Sequence, residues 1–99
     1  MKASFGKISG FEWDEGNREK NKIKHDVSTG ESEQVFFNEP LIILNDIKHS
    51  QAEERYSAFG RTNSGRMLTI VYTLRNRKIR VISARDMNKK ERLFYEEED

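Results

Sequence analysis

Between Glu54 and Arg85 the chain writes one pattern three times, and that pattern decides most of what it can become. Glu54 to Arg61 alternates through Tyr56, Ala58 and Gly60, and Arg66 to Leu74 and Lys78 to Arg85 are rich in β-branched residues. Such runs read as strands, and a strand's successive side chains point to opposite faces. The two breaks, Asn63-Ser64-Gly65 and Arg75-Asn76-Arg77, are short and polar and fit tight hairpins. A fourth β-rich segment, Leu41 to Asp46, follows Pro40. The pattern predicts an antiparallel four-stranded sheet.

Helices flank it. Phe11-Glu12-Trp13 reads as a short extended piece. Asp14 then has the chemistry of an N-cap, a carboxylate that can accept the orphan amides of a first turn. The stretch Glu15 to His25 is strongly polar, with Ile23 its one large apolar residue and Lys20, Lys22 and Lys24 towards its C-terminal end. Ser28-Thr29-Gly30-Glu31 matches a capping box. The helix it opens is expected to run to Phe37, with Val35 and Phe36 buried, and to stop at Pro40. A third helix is predicted from an Asp86 N-cap through Glu97. The class is therefore α+β, an antiparallel four-stranded sheet with two N-terminal helices and one C-terminal helix. The helices are expected against one face, with the other face left available. Residues 1–10 read as a loose leader and 11–99 as one domain.

Composition narrows the chemistry. The chain has 99 residues and no cysteine, which excludes disulfide scaffolds, thiolate metal sites and cysteine nucleophiles. No run approaches the roughly 18 apolar residues of a membrane span. Met1 to Gly10 lacks the apolar stretch of a secretory signal, so a cytoplasmic location is the default expectation. The charge is segregated: residues 1–60 hold 8 Lys/Arg against 11 Asp/Glu, residues 61–92 hold 10 against 2, and residues 93–99 hold none against 4. A block at net +8 is the footprint of a domain that meets a polyanion.

Three groups of residues could carry chemistry. In Lys78 to Arg85, strict alternation puts Ile79, Val81, Ser83 and Arg85 on one face and Arg80, Ile82 and Ala84 on the other. Arg80 and Arg85 would offer guanidinium forks to phosphate, or make structural ion pairs with Glu54 or Glu91. Lys24-His25 ends the first helix, where His25 could serve as a base or simply meet the last carbonyls. Asp46-Ile47-Lys48-His49 and Glu53-Glu54-Arg55 lie between two strands. There His49 could donate a proton, and Glu53 or Glu54 could orient a base, or Glu54 and Arg55 could just pair with neighbours. Two histidines 24 residues apart match no metal-ligand spacing, so no metal and no cofactor are expected.

Taken together, these segments resemble a known family. Phe11-Glu12-Trp13-Asp14, Asn21, Lys24-His25, Val27, Val35-Phe36 and Pro40 resemble the BrnT toxins. So do Asp46, His49, Glu53-Glu54-Arg55-Tyr56, Gly60, Gly65-Arg66-Met67-Leu68, the run Ile79 to Arg85, Glu91-Arg92 and Tyr95. The chain departs from the family's pattern at Gly16-Asn17 and Thr29-Gly30, positions that bear on helix packing. The resemblance implies a RelE-like fold and a ribonuclease that arrests translation. It implies a BrnA-type ribbon-helix-helix antitoxin as partner in a 2:2 heterotetramer, with operator DNA reached only through that partner. Within this reading Arg80 and Arg85 stabilise phosphate, Lys24 binds substrate or meets the transition-state charge, His49 or His25 moves protons, and Glu54 and Arg55 support them. A non-catalytic nucleic-acid-binding module and a pure protein-interaction domain are the competing readings.

Overall fold

The structure, a computed structural model, describes residues 9–45 and 53–98. Among these, the strands are β1 (Gly10–Glu12), β2 (Ile42–Asn45), β3 (Arg55–Arg61), β4 (Met67–Arg75) and β5 (Lys78–Asp86), and the helices are α1 (Glu15–His25), α2 (Thr29–Val35) and α3 (Lys89–Glu97). The strands form one sheet in the order β1-β5-β4-β3-β2. The β4–β5 hairpin turns through Asn76 and Arg77, both left-handed at φ 53° and 63°, which is what a two-residue turn between right-twisted strands requires.

The sheet is five-stranded and mixed, not four-stranded and antiparallel as the sequence predicted. The added strand is β1, which runs parallel to β5 with Phe11 opposite Ile79 and Glu12 opposite Arg80. It starts at Gly10, inside the expected leader, and Ser9 N–H extends the contact to the Arg77 carbonyl at 2.7 Å. The sequence marks Phe11-Glu12-Trp13 as extended, but nothing local shows that it joins the sheet beside a strand so far along the chain.

A β-bulge corrects the face assignment of β5. Val71 pairs with Ser83 but Tyr72 pairs with Val81, so Ile82 is an extra residue and the alternation shifts by one. Ile79, Val81 and Ala84 therefore face the main core, while Arg80, Ser83 and Arg85 share the opposite face.

The main core holds Val27, Val35, Ala58, Leu68, Ile70, Tyr72, Ile79, Val81 and Ala84, between the sheet and the α1–α2 side. Burying each large aliphatic of this set contributes about 1.5–3 kcal/mol. At Gly60 the α2 helix comes so close that a Cβ would sit 2.7 Å from Val35 Cγ1. The helices do not all lie on one face. α3 packs on the other, where Tyr95 and Met87 cover Phe59, Ile42 and Met67. Tyr95 Oη donates to the Pro40 carbonyl at 2.6 Å. α3 begins at an Asn88 cap, not at Asp86: Asn88 accepts from Glu91 N–H at 2.8 Å, and Glu91 closes the capping box. Asp86 remains in β5.

α1 is polar for a structural reason. β1 pairs with β5 only as far as Arg80, which leaves the rest of that strand edge with unpaired backbone groups. The helix supplies partners: Asn17 Nδ2 donates to the Val81 carbonyl at 3.4 Å, and Ala84 N–H donates to Asn21 Oδ1 at 3.2 Å. Asn21 is 1% exposed and Ile23 is 83% exposed, the reverse of an ordinary amphipathic helix. Asp14 caps the helix as the sequence predicted, accepting from Gly16 and Asn17 N–H at 2.8 and 3.4 Å.

Candidate functional site

α3 covers only part of the second sheet face. Beneath it, Arg85, Thr69, Phe59 and Ile42 lie in one cross-strand row. Towards the β4–β5 turn the described residues leave this face without a helix. There one row runs Glu12–Arg80–Thr73–Arg55, and the next brings Lys78 opposite Arg75. Neighbouring strands are about 4.8 Å apart, so Arg80 and Arg55 flank Thr73 at roughly 10 Å from each other. Half-buried Ser83, Val71 and Ser57 form the next row. The result is a rigid floor rich in hydroxyls, bordered by cations.

Counting donors separates the arginines. A guanidinium has five N–H groups. Arg66 uses all five: Nε and Nη2 donate to Asp86 at 2.7 and 3.0 Å, Nη1 to the Asp26 carbonyl and Glu31 at 2.8 and 3.2 Å, and Nη2 again to the His25 carbonyl at 3.1 Å. It is a clamp joining β4, β5 and the α1–α2 junction, and hydrogen bonding to Asp86 raises its pKa further. Arg85 uses three, to the Asp86 carbonyl and bidentately to Glu91 at 2.8 and 2.9 Å. Glu91 is fixed in turn by Asn88 N–H and Thr69 Oγ1, each at 3.0 Å, and its pKa is lowered, first by Arg85. Arg80 uses two, to Glu12 at 3.4 Å and Asp14 at 3.0 Å, leaving three without a partner among the described residues.

The structure thus brings Arg55, Arg80 and Arg85 onto one face and sets the other predicted residues elsewhere. Lys24 and His25 end α1, on the far side of the sheet. His25 gives its carbonyl to Arg66, and its charge adds to the Arg66 hydrogen bond that lowers the Asp86 pKa. Glu54 accepts from Tyr56 Oη at 2.6 Å, which raises the Tyr56 pKa, and the Tyr56 ring stacks on Tyr72 at 5.4 Å. That places its carboxylate with the core-side tyrosines. Asp46, Lys48 and His49 lie outside the described residues. Sequence reasoning missed Arg75 and Lys78 as members of the basic rows, and Glu12 and Asp14 as partners of Arg80. The parallel register of β1 is the fact needed to find the last two. Among the described residues no three His, Cys, Asp or Glu side chains gather as a metal-ligand set, and no helix is long and apolar enough to cross a membrane.

The fold and this face define a small α+β protein built on a mixed sheet, with one half-open cationic surface. The family model for the ribonuclease toxin BrnT of type II toxin–antitoxin systems matches residues 13–91, and the chain belongs to that family. The crystal structure of the Brucella abortus ribonuclease toxin BrnT superposes with a TM-score of 0.62 at 20% identity, covering 83% of this chain and 100% of that one. At that identity the likeness is one of fold. No curated protein sequence matches the chain.

Proposed function

We propose that this chain is the toxin half of a type II toxin–antitoxin pair and cuts RNA, without a metal, at the half-open sheet face. The observation that carries this is Arg80: it lies in one row with Arg55 and keeps three N–H donors uncommitted among the described residues. RNA supplies its own nucleophile. A base removes the 2′-hydroxyl proton, O2′ attacks phosphorus, the P–O5′ bond breaks, and an acid protonates the departing O5′. Arg80 stabilises the dianionic phosphorane, with Arg85, beyond the Ser83 row and held by Glu91, at the border of the site. Arg55 supports them across Thr73. Glu54, turned towards Tyr56, acts through packing. His49 is the histidine assigned to proton transfer; Lys24 and His25, on the far side, contact flanking RNA.

The RelE-like kinship, the block on translation and the cytoplasmic location belong to the same proposal. So does neutralisation by a BrnA-type ribbon-helix-helix antitoxin in a 2:2 complex, with operator DNA held by the antitoxin. The test incubates the purified chain with RNA in EDTA. Fragments ending in 2′,3′-cyclic phosphate are expected. Salt-sensitive binding that leaves RNA intact favours the non-catalytic reading instead.

A further inference from the structure

Arg80, like Arg66, is gripped by two separate carboxylates, but where Arg66 commits all five donors Arg80 commits two among the described residues. Glu12 takes Nη1 at 3.4 Å and Asp14 takes Nη2 at 3.0 Å, two separate carboxylates on two separate nitrogens. The two carboxylates stand on fixed backbone, and that of Asp14 is anchored from behind as well. Glu12 belongs to β1, in register with Arg80 itself. Asp14 uses its other oxygen, Oδ1, to cap α1 through Gly16 and Asn17 N–H. The guanidinium is therefore held at both tips, by a β1 side chain and by the α1 cap, while three of its donors meet no partner among the described residues.

Two carboxylates beside a phosphate-binding cation weaken the attraction of polyanionic RNA in the ground state. What they provide is direction. A fixed guanidinium is useful when charge develops at one place during the reaction and needs no reorganisation to meet it. We infer that Glu12 and Asp14 are positioning residues for Arg80, a two-point clamp that aims its free N–H groups at the phosphate being cleaved. The inference rests on the ribonuclease reading above. It ties the α1 N-terminus to the reaction, because one side chain, Asp14, serves both.

The test compares Glu12→Gln and Asp14→Asn with the parent chain in steady-state cleavage of an oligoribonucleotide. Asn is as good an N-cap as Asp, so α1 is retained in Asp14→Asn. Each variant is expected to lose on the order of tenfold in kcat, as supporting groups around a site commonly do, with KM unchanged or lower. In an Arg80→Ala background neither change should have a further effect, since the clamp acts through that side chain. A kcat that is unchanged or raised overturns the inference, and so does a loss that adds to that of Arg80→Ala. If the parent chain leaves RNA intact, the ribonuclease reading falls and this inference with it. If Arg80→Ala abolishes cleavage while Glu12→Gln and Asp14→Asn do not affect it, this inference alone falls.

Discussion

Arg66 and Arg77 show how differently two arginines of one basic block can act. Arg66 closes five hydrogen bonds onto groups 20 to 41 residues away. Removing it leaves Asp86 and Glu31 facing each other without their shared cation. Arg66→Ala should cost about 1–2 kcal/mol, read from the urea midpoint, since it removes the donor of two carbonyls and of half-buried Glu31 while the Asp86 carboxylate stays largely in water. Arg77 makes no ion pair among the described residues, yet its backbone is left-handed at φ 63°. A β-carbon there is strained by about 1 kcal/mol, so Arg77→Gly should raise the same midpoint. The sequence marks the turn through Asn76, but nothing local announces the Arg66 clamp. Its partners meet only when three elements close.

At the level of elements, local chemistry was legible and long-range pairing was not. The Ser28–Glu31 capping box and the Asp14 cap form as the sequence predicts. The sequence puts the cap of the third helix at Asp86, but the helix opens at Asn88. Glu91 decides, because it stands at the N3 position of Asn88 alone. The pairing of β1 and the β5 bulge escaped because one joins a three-residue extended piece to a distant strand and the other is a single insertion in a regular alternation. Joints between elements also set the acid stability. Glu31, Asp86 and Glu91 all have pKa values lowered in the folded chain, first by the Ser28 backbone, by Arg66 and by Arg85 respectively. A carboxyl group that is more acidic folded than unfolded contributes stability above its unfolded pKa, roughly 4, and loses it as pH falls through the folded value. The urea midpoint should therefore be flat near neutrality and fall below about pH 4.5. Glu91→Gln should start lower at pH 7 and lose less on acidification. An equal loss in both proteins contradicts the assignment.

For the whole molecule, the charge segregation of the sequence does not survive folding. Acids from the first 60 residues reach the basic block: Glu31 meets Arg66, Glu53 meets Arg75, and Glu12 and Asp14 meet Arg80. What remains distinctive is less the amount of positive charge than its placement, with Arg80, Arg55, Arg75 and Lys78 in two rows beside a hydroxyl floor. The sequence named Arg80, Arg85 and Arg55 but put the first two on opposite faces, and the bulge at Ile82 is what unites them. The most direct measurement is the single-turnover rate of RNA cleavage in EDTA by the parent chain and by Arg80→Ala, with both shown to be folded by their urea midpoints. A guanidinium that stabilises the phosphorane predicts a rate lower by about a hundred- to a thousandfold, roughly 3–4 kcal/mol. Cleavage by folded Arg80→Ala at the parent rate contradicts it.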